Sequence, residues 1–63
     1  MVYFAIDQKW IARDGALNGS VTQISEEGES GTVEITDDQG GTDTFHGTAA
    51  AFQLLPESWQ PAN

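Results

Sequence analysis

The sixty-three residues contain no cysteine, so neither a disulfide nor a thiolate–zinc site can brace the fold. That absence fits a reducing compartment, and the expected location is the cytoplasm or a particle assembled inside the cell. Bases are nearly absent too. Lys9 and Arg13 stand against ten acids, giving a net charge of −8 and a pI near 4.1. With no basic patch, direct binding to DNA, RNA or an anionic membrane is not expected. Long apolar runs are also missing. The opening Met-Val-Tyr-Phe-Ala-Ile-Asp has no basic region and soon reaches an acid, so neither a signal peptide nor a membrane span is expected. The chain should be soluble and keep its start.

Histidine occurs once, at His46, and serines and threonines supply hydroxyls. A nucleophile also needs a base within hydrogen-bond reach and a third group to orient that base. No Gly-x-Ser-x-Gly elbow is present, and so small a domain has little room for a water-excluding cleft. The expectation is therefore not an enzyme. Asp37, Asp38 and Asp43 surround the Gly40-Gly41 turn and offer the oxygen ligands that calcium prefers. Their spacing is not that of an EF-hand loop, and the closing glutamate is missing. One histidine and no cysteine also make a poor transition-metal set. A turn with solvated acids is the better account, with no metal and no cofactor expected.

What the chain does contain is strand material. Val, Ile, Thr and Phe fill short runs between Gly, Asp, Glu and Ser, which is the composition of antiparallel hairpins. Strands are expected over Gly19–Ser25, Gly31–Asp37 and Thr42–Gly47, joined by an acidic loop at Glu26–Ser30 and a turn at Gly40-Gly41. An earlier strand is expected over Val2–Ile6, with Val2, Phe4 and Ile6 facing the core and Trp10 sharing their parity. Asp14-Gly15 and Asn18-Gly19 both read as turns, with Leu17 tucked under the sheet. Val21 and Ile24 break alternation, which a bulge near Thr22-Gln23 would repair.

Thr48 fits a helix N-cap ahead of Ala49–Leu55, a run stopped by Pro56. Phe52 and Leu55 would form the buried stripe. A final strand over Ala51–Leu55 is the competing assignment, disfavoured by three alanines. The tail from Glu57 is expected to be irregular. The whole makes one small domain, residues 1–63, that is all-β or β with one short C-terminal helix. Its architecture is expected to be a small SH3-like or Sm-like barrel, or a curled antiparallel sheet of four to five strands. No family motif accompanies that architecture, and architecture alone does not assign function.

The surface expected to act is acidic. Glu26, Glu27 and Glu29 cluster in one loop, and Asp37 and Asp38 cluster in another. If they line one face, they could fit a basic groove or imitate a phosphate backbone. Charged turns that keep sheet edges apart are the competing explanation, as is a simply well-solvated surface. Tyr3, Trp10 and Trp59 are candidate interface anchors, Trp59 equally a cap folded over an open end of the core. The expected function is a non-enzymatic protein-binding module. It would be an accessory or inhibitory subunit, of a kind phages encode, on a basic protein surface. The alternative is a structural subunit of a homo-oligomeric or virion assembly, such as a decoration protein.

Overall fold

The computed structural model describes residues 2–62. Five strands, β1 (Lys9–Ala12), β2 (Leu17–Ile24), β3 (Ser30–Asp37), β4 (Thr42–Thr48) and β5 (Gln60–Pro61), form one antiparallel sheet in the order β4-β3-β2-β1-β5. Among the described residues one short α-helix, α1 (Ala49–Gln53), follows β4, and Arg13–Gly15 forms a 3-10 turn between β1 and β2. β4 and β5 lie at opposite edges. The sheet is therefore open, not closed into a barrel.

The three central strands fall where alternation puts them. Val33 is fully buried and Ile35 partly buried, while Glu34 and Thr36 on the opposite parity are exposed. The register shifts between Val21 and Gln23, as the broken alternation of β2 requires. After that bulge Ile24 pairs with Gly31 and returns to the face of Val21 and Val33. The β3–β4 turn is built by Asp37. Its Oδ1 accepts the backbone N–H groups of Gln39 (2.9 Å) and Gly41 (2.7 Å), and Gly40 takes the left-handed conformation at φ +83°.

Three expectations are corrected. The first strand begins at Lys9 and not at Val2, because residues 5–8 close into a turn. Gln8 N–H donates to the Ala5 carbonyl (3.1 Å), and its Oε1 accepts from Ala5 N–H (3.2 Å) and Trp10 Nε1 (3.1 Å). Asp7 adopts φ 65° there. Phe4 stays in the core at 3% exposure, but Ile6 beyond it is 51% exposed. Second, Asn18-Gly19 is not a turn and lies within β2. A Cβ on Gly19 would stand 2.9 Å from Val33 and 3.4 Å from Trp59, so this glycine admits close packing.

Third, the tail is not irregular throughout. Gln60 and Pro61 pair with Ile11 and Trp10 of β1, and Ala62 N–H donates to the Lys9 carbonyl at 2.9 Å. The helix expected after Thr48 is present over residues 49–53, ending short of Leu55, and the competing strand is excluded. Thr48 caps it, its Oγ1 accepting from Ala51 N–H at 3.1 Å. Leu54 serves as the C-cap and Leu55 lies beyond the helix, partly buried against the core.

A helix this short has no stability of its own and is held by docking. Phe52 provides the contact. Its ring is fully buried and meets Phe4 (5.7 Å), Trp10 (5.4 Å), Phe45 (4.9 Å) and Trp59 (4.8 Å, near-parallel). Those rings arrive from the N-terminal segment, β1, β4 and the tail, so one side chain ties four parts of the chain together. Ala49, also fully buried, lets the helix sit close to the sheet.

Candidate interaction surface

The two acidic clusters sit at opposite ends of the meander, because the loops of consecutive hairpins point opposite ways. Glu26, Glu27 and Glu29 are exposed on the β2–β3 loop. The loop's backbone is fixed. Gly28 accepts from Phe4 N–H (2.7 Å), Ser30 accepts from Ser25 N–H (2.8 Å), and Glu29 accepts from Ala49 N–H (2.9 Å). The three glutamates with Ser25, Ser30 and Thr48 border an open hollow of about 340 Å³.

At the other end stand Asp37 and Asp38, joined by Asp43, Glu57 and Asp14. The pairing of Ala12 with Leu17, and of Leu17 with Asp37, places the turn carrying Asp14 beside the β3–β4 loop. Asp37, Asp43 and Glu57 rim a hollow of about 300 Å³ floored by Leu17, Ile35 and Trp59. Asp37 spends one oxygen on its turn, and Asp43 Oδ1 accepts from Thr44 N–H at 2.8 Å. Glu57 Oε2 and Trp59 Nε1 are buried with no hydrogen-bond partner. Leaving such groups unpaired costs about 1–3 kcal/mol each.

The aromatic candidates divide. Tyr3 is 46% exposed and remains at the surface. Trp10 is corrected, at 1% exposure, to the interior, and Trp59 at 2% takes the second of its two expected places, as a cap on the core. Trp10 is drawn inward by its parity on β1, and Trp59 folds over the open end of the core because β5 pairs behind it. Trp59 borders the hollow rimmed by Asp37, Asp43 and Glu57, but neither tryptophan is an exposed anchor.

His46 lies on the outer face of β4, and its Nδ1 stands 3.0 Å from Thr32 Oγ1 across the strand pair. Among the described residues, no group of three or more His, Asp and Glu could hold a metal ion. Among the described residues, too, no helix is long and apolar enough to cross a membrane.

The β4 edge emerges only from the register. Asp37 N–H donates to the Gly41 carbonyl (3.0 Å) and Ala49 N–H to the Glu29 carbonyl (2.9 Å). Alternation between these two bonded pairs turns the backbone groups of Asp43, Phe45 and Gly47 toward β3, and those of Thr42, Thr44 and His46 away from it. The Thr44–Asp43 bond agrees with that phase, since the carboxylate caps an outward N–H. Sequence reasoning misses Glu57 and the edge because both are set by long-range pairing. No protein family, curated protein or solved structure matches the chain.

Proposed function

We propose that this chain is a non-enzymatic module that binds another protein through a basic surface, as an accessory or inhibitory subunit. The observation carrying the proposal is the end of the sheet where Asp37, Asp43 and Glu57 line a hollow with the apolar side chains of Leu17, Ile35 and Trp59, with Asp38 on the adjoining turn. Carboxylates around such a hollow favour a lysine or arginine side chain, whose stem is apolar and whose head is charged. The opposite charge of the partner would also speed encounter.

Capture from a cell extract on the immobilised chain tests this. Bound protein should be released as salt rises, and reversing Asp37 and Asp38 to lysine should reduce capture more than reversing Glu26, Glu27 and Glu29. Salt-independent capture, or equal capture by every charge-reversed variant, would contradict it.

A second function is favoured by a different observation. Leu54 is 85% exposed, and Val2, Glu29, Thr48 and Ala50 border a hollow of about 250 Å³. As an assembly subunit, of a homo-oligomer or a virion, the chain would use its exposed apolar side chains, Leu54 with Tyr3. A fixed oligomer in native mass measurement, lost in Leu54→Asp, is the expected result for that function. A monomer at high concentration counts against self-assembly.

A further inference from the structure

The acidic end and the β4 edge are one feature. Thr42 and Asp43 border the core-side hollow with Asp37, Glu57 and Trp59, and they also border a second hollow of about 190 Å³ on the other face with Ser20, Glu34 and Thr44. Edge strand β4 therefore runs between two hollows, one with Asp37, Asp43 and Glu57 in its wall and the other with Glu34. Its outward backbone groups at Thr42, Thr44 and His46 have the two-residue spacing of a strand waiting for a neighbour. The other edge does not compete: β5 has two residues, one of them Pro61, which lacks an N–H.

We infer that the partner's basic segment docks as an added strand along β4, at Thr42–His46, with lysine or arginine side chains in the flanking hollows. This rests on the basic-partner function proposed above and specifies how the partner is held. A strand added to β4 sends successive side chains to opposite faces, so alternate residues meet Asp37, Asp43 and Glu57 on one side, and Glu34 on the other, where Ser20 Oγ already accepts from Lys9 Nζ at 2.7 Å. Main-chain hydrogen bonds supply affinity and the carboxylates select the sequence. Asp43 acts as a guard: its Oδ1 occupies Thr44 N–H until a carbonyl of the incoming strand replaces it, freeing the carboxylate for a cation. A second copy fits less well, since it brings its own net charge of −8 and another Asp43 to the same edge.

The probe is a short capped peptide of alternating lysine and threonine, compared with the same peptide N-methylated at every second amide. Methylation keeps the charge and removes the donors a paired strand needs. The parent peptide should bind in a salt-dependent way and the methylated one at least about tenfold more weakly. Thr44→Pro, which removes an outward N–H and leaves β3 pairing and net charge intact, should weaken the parent peptide similarly. Because proline could disturb the fold, the methylated peptide on the unaltered protein decides independently.

Equal affinity for both peptides, with salt dependence kept, would overturn strand addition and leave the basic-partner function standing. Absence of salt-dependent binding to either peptide, and to polylysine, would overturn both. A dimer of the free chain that Thr44→Pro makes monomeric would assign the edge to a second copy and overturn the inference.

Discussion

Replacing Phe52 by alanine should come close to unfolding the protein. The ring is fully buried and lies within 6 Å, centre to centre, of four other aromatic rings. Truncating a buried phenylalanine costs about 3–5 kcal/mol through lost transfer energy and the cavity left behind. Loss of edge and stacked ring contacts pushes Phe52 toward the upper part of that range. A chain of this length holds only about 3–9 kcal/mol in total, at roughly 0.05–0.15 kcal/mol per residue. The substitution therefore removes a third or more of the stability and could remove all of it. Urea unfolding followed by tryptophan fluorescence is the assay, since Trp10 and Trp59 both contact the deleted ring. With a slope near 1 kcal/mol per molar for so small a domain, the midpoint should fall by about 3–5 M or the native baseline should vanish. Leu54→Ala, two residues away and 85% exposed, should shift stability by less than about 0.5 kcal/mol. A Phe52→Ala midpoint within about 1 M of the parent would refute the ring as the tie between helix, strands and tail.

Two left-handed glycines should respond unequally to alanine. Gly40→Ala meets no atom within 4 Å and should cost about 1–2 kcal/mol of backbone strain alone, whereas a Cβ on Gly28 falls 2.6 Å from the Phe4 carbonyl oxygen, so Gly28→Ala should cost clearly more by thermal melting. Gly19→Ala, within an extended strand but 2.9 Å from Val33, should cost about 1–3 kcal/mol by overpacking, and a neutral result would show that Val33 and Trp59 yield freely. Thr48→Ala should lower stability by about 0.5–2 kcal/mol through loss of the cap on α1, with Thr48→Ser restoring most of it in the same urea titration.

Features visible in the sequence were those decided locally. Val33 and Ile35 show alternation, Asp37 through Gly41 show turn chemistry, Thr48 before three alanines shows a capped helix, and the parity break after Val21 shows a bulge. What was hidden depends on contacts distant along the chain. Asn18-Gly19 has the composition of a turn, yet Val33 and Trp59 converge on Gly19 and need its missing side chain. Gln8 looks like an ordinary polar residue, but its amide binds Ala5 and Trp10 and delays the first strand. Nothing near Gln60 predicts a strand until β1 is there to pair with it. The same division holds at the surface. Composition exposed Glu26, Glu27, Glu29, Asp37 and Asp38 as acidic clusters, but only the register separates them to opposite ends and brings Glu57 to Asp37 and Asp43 beside an open edge.

Amide chemical shifts of the isotopically labelled chain, titrated with the lysine–threonine peptide, test the binding account most directly. The largest changes, with slowed exchange, should fall on the N–H groups of Thr42, Thr44 and His46, while Val33 at the sheet centre stays put. Shifts confined to Glu26–Glu29, or spread evenly over every acidic residue, would contradict it.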